Sequence, residues 1–362
     1  MKAALFLEQL KPMPIEEIDL DPPGPGEVHV KWSATGVCHS DVSFWNGNIP
    51  VPPPCIIGHE GAGKVVSVGP GVKDFVAGDH VIGTFVPTCG ECFYCKNGQA
   101  YVCAKALEIG FGRMPFIRKD GSRIMPGPGG LSTFAEESVC SPAALVKIPK
   151  DFDLVEASLI GCGVTTGVGS ALWAAKVKPG STAVVIGCGG VGLSVVQGCR
   201  IAKAGKIIAV DLNPEKRKAA EKFGATHSVD PSETDLAEYV RGQTEGRGAD
   251  YGFEVVGNPK LQRQAYDITR PGGAVVWVGV PNIASEVTLP GALVVLENKS
   301  IIGTIYGSAN VRTDFVKLIE FVKKGDLNVK GMVSRRLALE EVNDSFRAML
   351  EGEVIRSVIV YS

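Results

Sequence analysis

Nowhere does the chain approach the roughly 20 uninterrupted apolar residues that a membrane-spanning helix needs, so a protein embedded in a bilayer is not expected. The opening stretch MKAALFLEQLKPMP meets Glu8 and Lys11 too early for the apolar core of a secretion signal, which makes the cytoplasm the expected compartment. Charge of one sign is also missing. With 37 Lys and Arg against 39 Asp and Glu, the formal net charge is -2 and no long run of either sign occurs. That removes any general attraction to nucleic acid or anionic lipid and favours a small-molecule partner. What the chain has in quantity is glycine, 45 residues, and cysteine, ten. A length of 362 residues leads to the expectation of two domains, or of one inserted into another.

The first 150 residues read as short strands and turns: VHVKWSATGV, GKVVSVGPGV and GDHVIGTFVP are β-branched and bounded by Gly, Pro and Asp. The texture changes near Phe152. DLVEASLIGCGVTTGVGSALWAA has helical spacing, and STAVVIGCGGVGLSVVQGCRIAKAGKIIAVD reads strand, glycine turn, helix, strand. A helix over Pro214 to Phe223 and strands near Tyr251 to Val256 and Gly273 to Val280 continue the alternation, which implies a parallel sheet. TDFVKLIEFVKKGDL is amphipathic at the helical period, and the terminal SVIVYS reads as a strand that rejoins the first domain.

Without a secretion signal, the cysteines are expected as thiols, metal ligands or catalytic groups rather than disulfides. Cys89, Cys92, Cys95 and Cys103 fall within fifteen residues, a spacing able to place four thiolates around one Zn²⁺. Four protein ligands leave no open position, so such a site stabilises its loop and performs no chemistry. Free thiols and an iron–sulfur cluster are the alternatives; against the latter, Cys103 is not followed by proline.

Gly187, Gly189 and Gly192 form G-x-G-x-x-G directly after the apolar strand AVVI, with Asp211 closing the next strand nineteen residues later. In this context the pattern is a dinucleotide fingerprint: glycine lets the backbone reach the pyrophosphate, the helix N-terminus favours its charge, and Asp211 accepts from the adenosine ribose. A carboxylate there repels a 2′-phosphate, which favours NAD, while Lys216 and Arg217 leave dual use open. A purely structural glycine turn is the rival reading. A third group, Cys38-His39-Ser40-Asp41, Gly58-His59-Glu60 and Cys162, is weak piece by piece, since a lone Cys or His is usually packed core. Jointly it supplies Cys38, His59 and Cys162, the three-ligand set of a catalytic zinc with one position open.

GVCHSD at 36–41, GHEGAG at 58–63, CGECFYCKNGQAYVC at 89–103, GCGVTTG at 161–167, GCGGVG at 187–192 and EVIRSVI at 353–359 together resemble the zinc-containing alcohol dehydrogenases of the medium-chain dehydrogenase/reductase superfamily, over nearly the whole chain. The resemblance implies an α/β protein: a GroES-like β-barrel catalytic domain at 1–163 and 306–362, and a Rossmann doubly wound coenzyme domain at 164–305. It implies a catalytic zinc on Cys38, His59 and Cys162, with Glu60 behind the metal and coordinating it transiently, and a structural zinc on Cys89, Cys92, Cys95 and Cys103. Asp41 is implied to orient His59.

In the implied reaction zinc acts as a Lewis acid on an alcohol and hydride passes to the nicotinamide of NAD. Ser40 takes the alcohol proton. Ser43 departs from relatives that end the relay in a histidine at that position, so the proton's exit is open. His39, Arg356 and Lys216 are implied at the cofactor phosphates and ribose, Gly190 in the phosphate turn, Thr166 and Val191 by the nicotinamide, and the Val280 backbone at its carboxamide.

Phe44, Trp45, Ile49, Phe85, Phe134 and Tyr306 form the implied substrate pocket, which suits a hydrophobic aliphatic or aryl alcohol or aldehyde. A thiol-adduct formaldehyde dehydrogenase is the main alternative. The loop NGNIPVPPP lacks the acidic residues, and CAKALEIG the arginine, that glutathione-dependent relatives direct at the conjugate, although Arg113, Arg118 and Lys119 lie nearby. A non-catalytic superfamily member is the other. The long segment Ala104 to Ser132 resembles that of dimeric members, so a homodimer joined near Ile301 to Tyr306 is expected, with a tetramer open.

Overall fold

In the strand Val28–Gly36 the alternation of VHVKWSATG puts Val28, Val30, Trp32 and Ala34 on one face, and all four are wholly buried. The computed structural model, which describes residues 1–362, builds its largest sheet around this strand. Leu145–Ile148, His80–Gly83, Glu60–Val68, Val28–Gly36, Arg356–Val360 and Val333–Leu337 lie side by side, with Glu137–Cys140 also paired to Val28–Gly36. Pairing is antiparallel except between the last two strands of the row. The terminal strand thus rejoins the N-terminal sheet, as its apolar pattern led one to expect. Asp19–Leu20, Phe116–Ile117, Arg123–Pro126 and Cys55–Ile56 make a smaller sheet.

Two compact units result: Met1–Cys162 with Asn310–Gly325 and Val329–Ser362, and Gly163–Ala309 with Asp326–Asn328. The chain passes from one to the other inside the helical run Leu154–Ala174. This run of 21 residues, which contains two π-helical turns, is the one helix long and apolar enough to cross a membrane. Within its most apolar 18-residue stretch, 78% is buried in the protein, as in the core helix of a globular unit.

The second unit holds six parallel strands in the order His227–Val229, Lys206–Val210, Thr182–Ile186, Ala249–Glu254, Thr269–Trp277, Ser300–Gly303. The order reverses direction at Thr182–Ile186, the first of them in sequence, which places a crevice at its carboxyl end. Val184, Ile186, Ile208, Val210 and Val275 pack with Val240, Ala265 and Tyr266 from helices on the sheet. The helix Pro214–Phe223 has the bounds its sequence specifies. Asn213 Oδ1 caps it by accepting from the Glu215 N–H at 2.8 Å, proline opens it, and Gly224 closes it at φ +116.

Candidate active site and cofactor crevice

Cys38 ends the long strand's exit and caps the helix His39–Trp45, while His59 and Glu60 open the neighbouring strand Glu60–Val68. Adjacent strands therefore deliver Cys38, His59 and Glu60 to one place. Cys162 joins them from the helix that follows residue 154. One ligand atom from each of these four buried residues lies within 4.8 Å of all the others. Asp41, wholly buried, ties two of them together: Oδ2 accepts from the Cys38 N–H at 2.9 Å and Oδ1 accepts from His59 Nδ1 at 3.0 Å. With Nδ1 so engaged, His59 presents Nε2 to the cluster.

The electrostatics are those of a metal-binding donor set. The Cys162 thiol hydrogen-bonds Cys38 and, with His59 and Arg356 nearby, holds the Cys38 thiol well below its usual range; the same contact and burial push Cys162 well above it. Burial opposes the charged form of His59, but Asp41 and Cys38 outweigh it and raise its pKa. Burial lifts Glu60 to about 7 against the pull of Arg356. Glu60 and Arg356 form a buried ion pair, yet Glu60 Oε1 and Arg356 Nε have no partner. Two thiols, an imidazole and a carboxylate oxygen without a donor, all in one buried pocket, fit a tetrahedral divalent metal. Gly36 leaves space for this pair, since a Cβ there would strike Glu60, Leu159 and Arg356.

The second donor cluster is Cys89, Cys92, Cys95 and Cys103, again within 4.8 Å of one another. Backbone N–H groups of Cys92 and Cys89 donate to the sulfurs of Cys89 and Cys103, both at 3.4 Å. The N–H groups of Cys95 and Ala104 bring the Cys92 thiol down to about 6, whereas burial raises Cys95 to about 12. All ten cysteines are free of disulfides. Sulfurs gathered this closely and served by backbone donors suit a closed four-thiolate zinc site.

Ser40 is half-buried in the first turn of the helix that Cys38 caps, His39 is exposed, and Ser43 is half-buried one turn on. Of the aromatic residues assigned to substrate, Phe44 and Phe85 meet His59 edge-on, their ring centroids 6.3 and 5.5 Å away. Ile49, four residues past the helix His39–Trp45, is half-buried. Trp45 and Phe134 instead pack on Phe346 in the hydrophobic core, and Trp45 Nε1 donates to the Lys11 carbonyl at 2.6 Å. Phe346 is far away along the chain, so nothing local in sequence points to this packing. Arg118 and Lys119 are paired with Glu16 and Asp19, and Arg113 with Asp21 and Glu27.

In the second unit, Gly187 turns at φ +99, and a Cβ on Gly192 would collide with the Gly187 carbonyl. A Cβ on Gly189, at the N-terminus of the helix Gly190–Ile201, would meet no atom within 4 Å, which leaves the backbone approachable by a phosphate. Asp211 Oδ2 accepts from the Cys188 N–H at 2.8 Å and Oδ1 from Asn213 at 2.9 Å, so the acid also shapes the glycine turn. Lys216 is half-buried on the following helix. Arg217 is committed elsewhere: it donates to the Asp211 and Leu212 carbonyls and to Asp230 at 2.7, 2.9 and 2.8 Å. Thr166 and Val191 are half-buried, Val280 is 69% exposed, and Tyr306 is buried at φ +56. Sequence reading missed Glu254, a wholly buried carboxylate, whose signal is the acid that closes the strand ADYGFE after the apolar Phe253.

Residues 24–150 match the model of the alcohol dehydrogenase GroES-like domain, and residues 190–324 that of the zinc-binding dehydrogenase. An alcohol dehydrogenase class-3 of Drosophila melanogaster is 42% identical over 99% of this chain and 97% of its own length. An S-(hydroxymethyl)glutathione dehydrogenase of Escherichia coli is 39% identical over 99% of both. Among solved structures, an alcohol dehydrogenase zinc-binding domain protein of Burkholderia ambifaria superposes with TM-score 0.94 at 31% identity, covering 100% of this chain and 98% of that one. Benzyl alcohol dehydrogenase of Acinetobacter calcoaceticus gives 0.92 at 27%, covering 100% and 99%. With a GroES-like barrel, a Rossmann sheet and both cysteine-rich donor sets in place, the chain belongs to the zinc-dependent alcohol dehydrogenase family of the medium-chain dehydrogenase/reductase superfamily.

Proposed function

We propose that the protein is an NAD-dependent dehydrogenase that oxidises the S-hydroxymethyl adduct of formaldehyde with a low-molecular-weight thiol. The observation that carries this reading is the full-length similarity, at 39 to 42% identity, to relatives named for that substrate or as class-3 enzymes. It displaces the hydrophobic alcohol favoured by the pocket residues in sequence. In such an adduct, R–S–CH₂–OH, the carbon loses a hydride and the hydroxyl a proton, which leaves the thioester R–S–CHO.

Cys38, His59 and Cys162 would hold the catalytic zinc, with Glu60 in reach, and zinc supplies Lewis acidity toward the substrate hydroxyl while NAD accepts the hydride. Asp41 keeps His59 in the tautomer a metal requires. Ser40, two residues after Cys38, accepts the hydroxyl proton as it passes its own on toward the cofactor ribose. The glycine turn and Asp211 bind the pyrophosphate and adenosine ribose, with His39, Lys216 and Gly190 beside them and Thr166, Val191 and Val280 toward the nicotinamide. Arg356 serves Glu60 first, and its contact with the cofactor is part of the proposal.

The ion-paired state of Arg113, Arg118 and Lys119 bears on which thiol is used, because none offers an uncommitted cation to a conjugate's carboxylates. A thiol less acidic than glutathione fits better. An aryl alcohol is the second reading, favoured by Phe44 and Phe85 around His59. NADH formation from formaldehyde with glutathione, with other thiols and with no thiol, beside benzyl alcohol, separates these substrates. Equal rates with and without thiol would exclude the adduct.

A further inference from the structure

Glu254 is the one buried carboxylate of the second unit, and no Lys or Arg pairs with it. An ionised acid without a cation is costly in a protein interior unless several donors serve it. At one oxygen they do: Oε1 accepts from the backbone N–H groups of Val256, Gly257 and Asn258 at 2.8, 2.7 and 3.3 Å, while Oε2 has no hydrogen-bond partner. Burial pushes the carboxyl up, and these three donors pull it back toward the charged form. The side chain therefore clamps the turn that follows the strand Ala249–Glu254.

That turn is wedged between two parts of the cofactor crevice. On one side the Val256 side chain lies where a Cβ on Gly187, in the phosphate turn, would be. On the other, Gly257, at φ +83, has no room for a Cβ because the Val280 backbone fills the space, and Gly279 has none because of Gly257. The main-chain carbonyl of Glu254 adds to this by accepting from the Val278 and Gly279 N–H groups at 2.9 and 3.1 Å. Gln262, which also faces the carboxylate, donates to the Gly279 carbonyl at 3.4 Å. One residue thus sets both the turn and the backbone leading into Val280.

We infer that Glu254 is a positioning residue for the nicotinamide half of NAD, fixing the Val280 carbonyl at the height where it accepts from the carboxamide. The inference rests on the reading of NAD as cofactor and of Val280 as its carboxamide contact. Holding an acceptor to within a fraction of an ångström takes more than a local cap, which Ser or Asn would provide. Three N–H groups on one carboxylate oxygen, with two more on the same residue's carbonyl, remove the freedom of both strand ends.

The test uses the zinc-loaded enzyme and its Glu254→Ala and Glu254→Gln variants, with binding of NADH by fluorescence and of ADP-ribose, which lacks the nicotinamide, by calorimetry. Loss of a tenfold affinity corresponds to about 1.4 kcal/mol, the scale of a hydrogen bond. Glu254→Ala should weaken NADH about tenfold and ADP-ribose less than about twofold. Glu254→Gln, which keeps an oxygen acceptor, should recover most of the NADH affinity and folds even where the alanine variant fails. Amide hydrogen exchange at residues 256–258 should quicken in step with the NADH loss. Equal weakening of both ligands, or no weakening of either, overturns the inference. Wild-type enzyme that binds neither ligand overturns the NAD reading and this one with it.

Discussion

Asp41 shows how much one side chain can decide. It fixes the Cys38 backbone and the His59 ring at once, from a position with no exposure to water. Asp41→Asn keeps the shape but removes the charge that favours the metal-binding tautomer. Partners of this kind contribute about 10–100-fold to metal affinity, so the variant should retain close to one zinc per chain after mild dialysis where the wild type retains two. Elemental analysis reads this directly, and full retention of both metals would contradict it. Ser40 makes the opposite case, a residue that matters to turnover and not to the metal. Ser40→Ala should cut the rate of hydride transfer by about 10²-fold or more, the range of general-base assistance, with zinc content unchanged. Near-normal turnover would leave Ser40 without its role.

At the scale of elements, the phosphate turn depends on a close approach that only glycine permits. Gly192→Ala drives a methyl group into the Gly187 carbonyl and should abolish NADH fluorescence enhancement while the zinc content stays at two. Retained NADH binding would mean that the cofactor lies elsewhere. This turn was legible in the sequence because its parts are local: strand, glycines, helix and acid follow one another within Ala183 to Asp211. The four-cysteine loop was legible for the same reason. The catalytic donor set was less so, since Cys38 and His59 meet through strand pairing and Cys162 reaches them from a helix distant in sequence, and the family resemblance joins them. Least legible were contacts set wholly by packing. Trp45 and Phe134 have the composition of a substrate pocket, but the side chain that fills the space beside them, Phe346, belongs to a distant helix. Glu254 does not stand out in the sequence because an acid at a strand end has many ordinary uses, and only its three N–H donors set it apart.

For the whole molecule, the edge strand Ser300–Gly303 and the helix Gly291–Leu296 leave apolar side chains uncovered, Val295 at 77% and Leu296 at 79% exposure. An unpaired edge beside apolar surface invites a second copy, and a homodimer is proposed. Sedimentation should return twice the chain mass of 38.1 kDa, and a monomer at micromolar concentration would contradict it. Substrate choice belongs to this scale as well, because local charge and whole-chain similarity point in different directions. Loop residues lack the acids and free cations suited to glutathione, while 99% of the chain aligns with an S-(hydroxymethyl)glutathione dehydrogenase. A shared reaction on a different thiol reconciles the two. The most direct test is the initial rate of NADH formation from formaldehyde in the presence and absence of a panel of low-molecular-weight thiols. The account predicts that at least one thiol raises the rate with formaldehyde well above the rate with benzyl alcohol; formaldehyde oxidation that no thiol accelerates, alongside rapid benzyl alcohol oxidation, would contradict it.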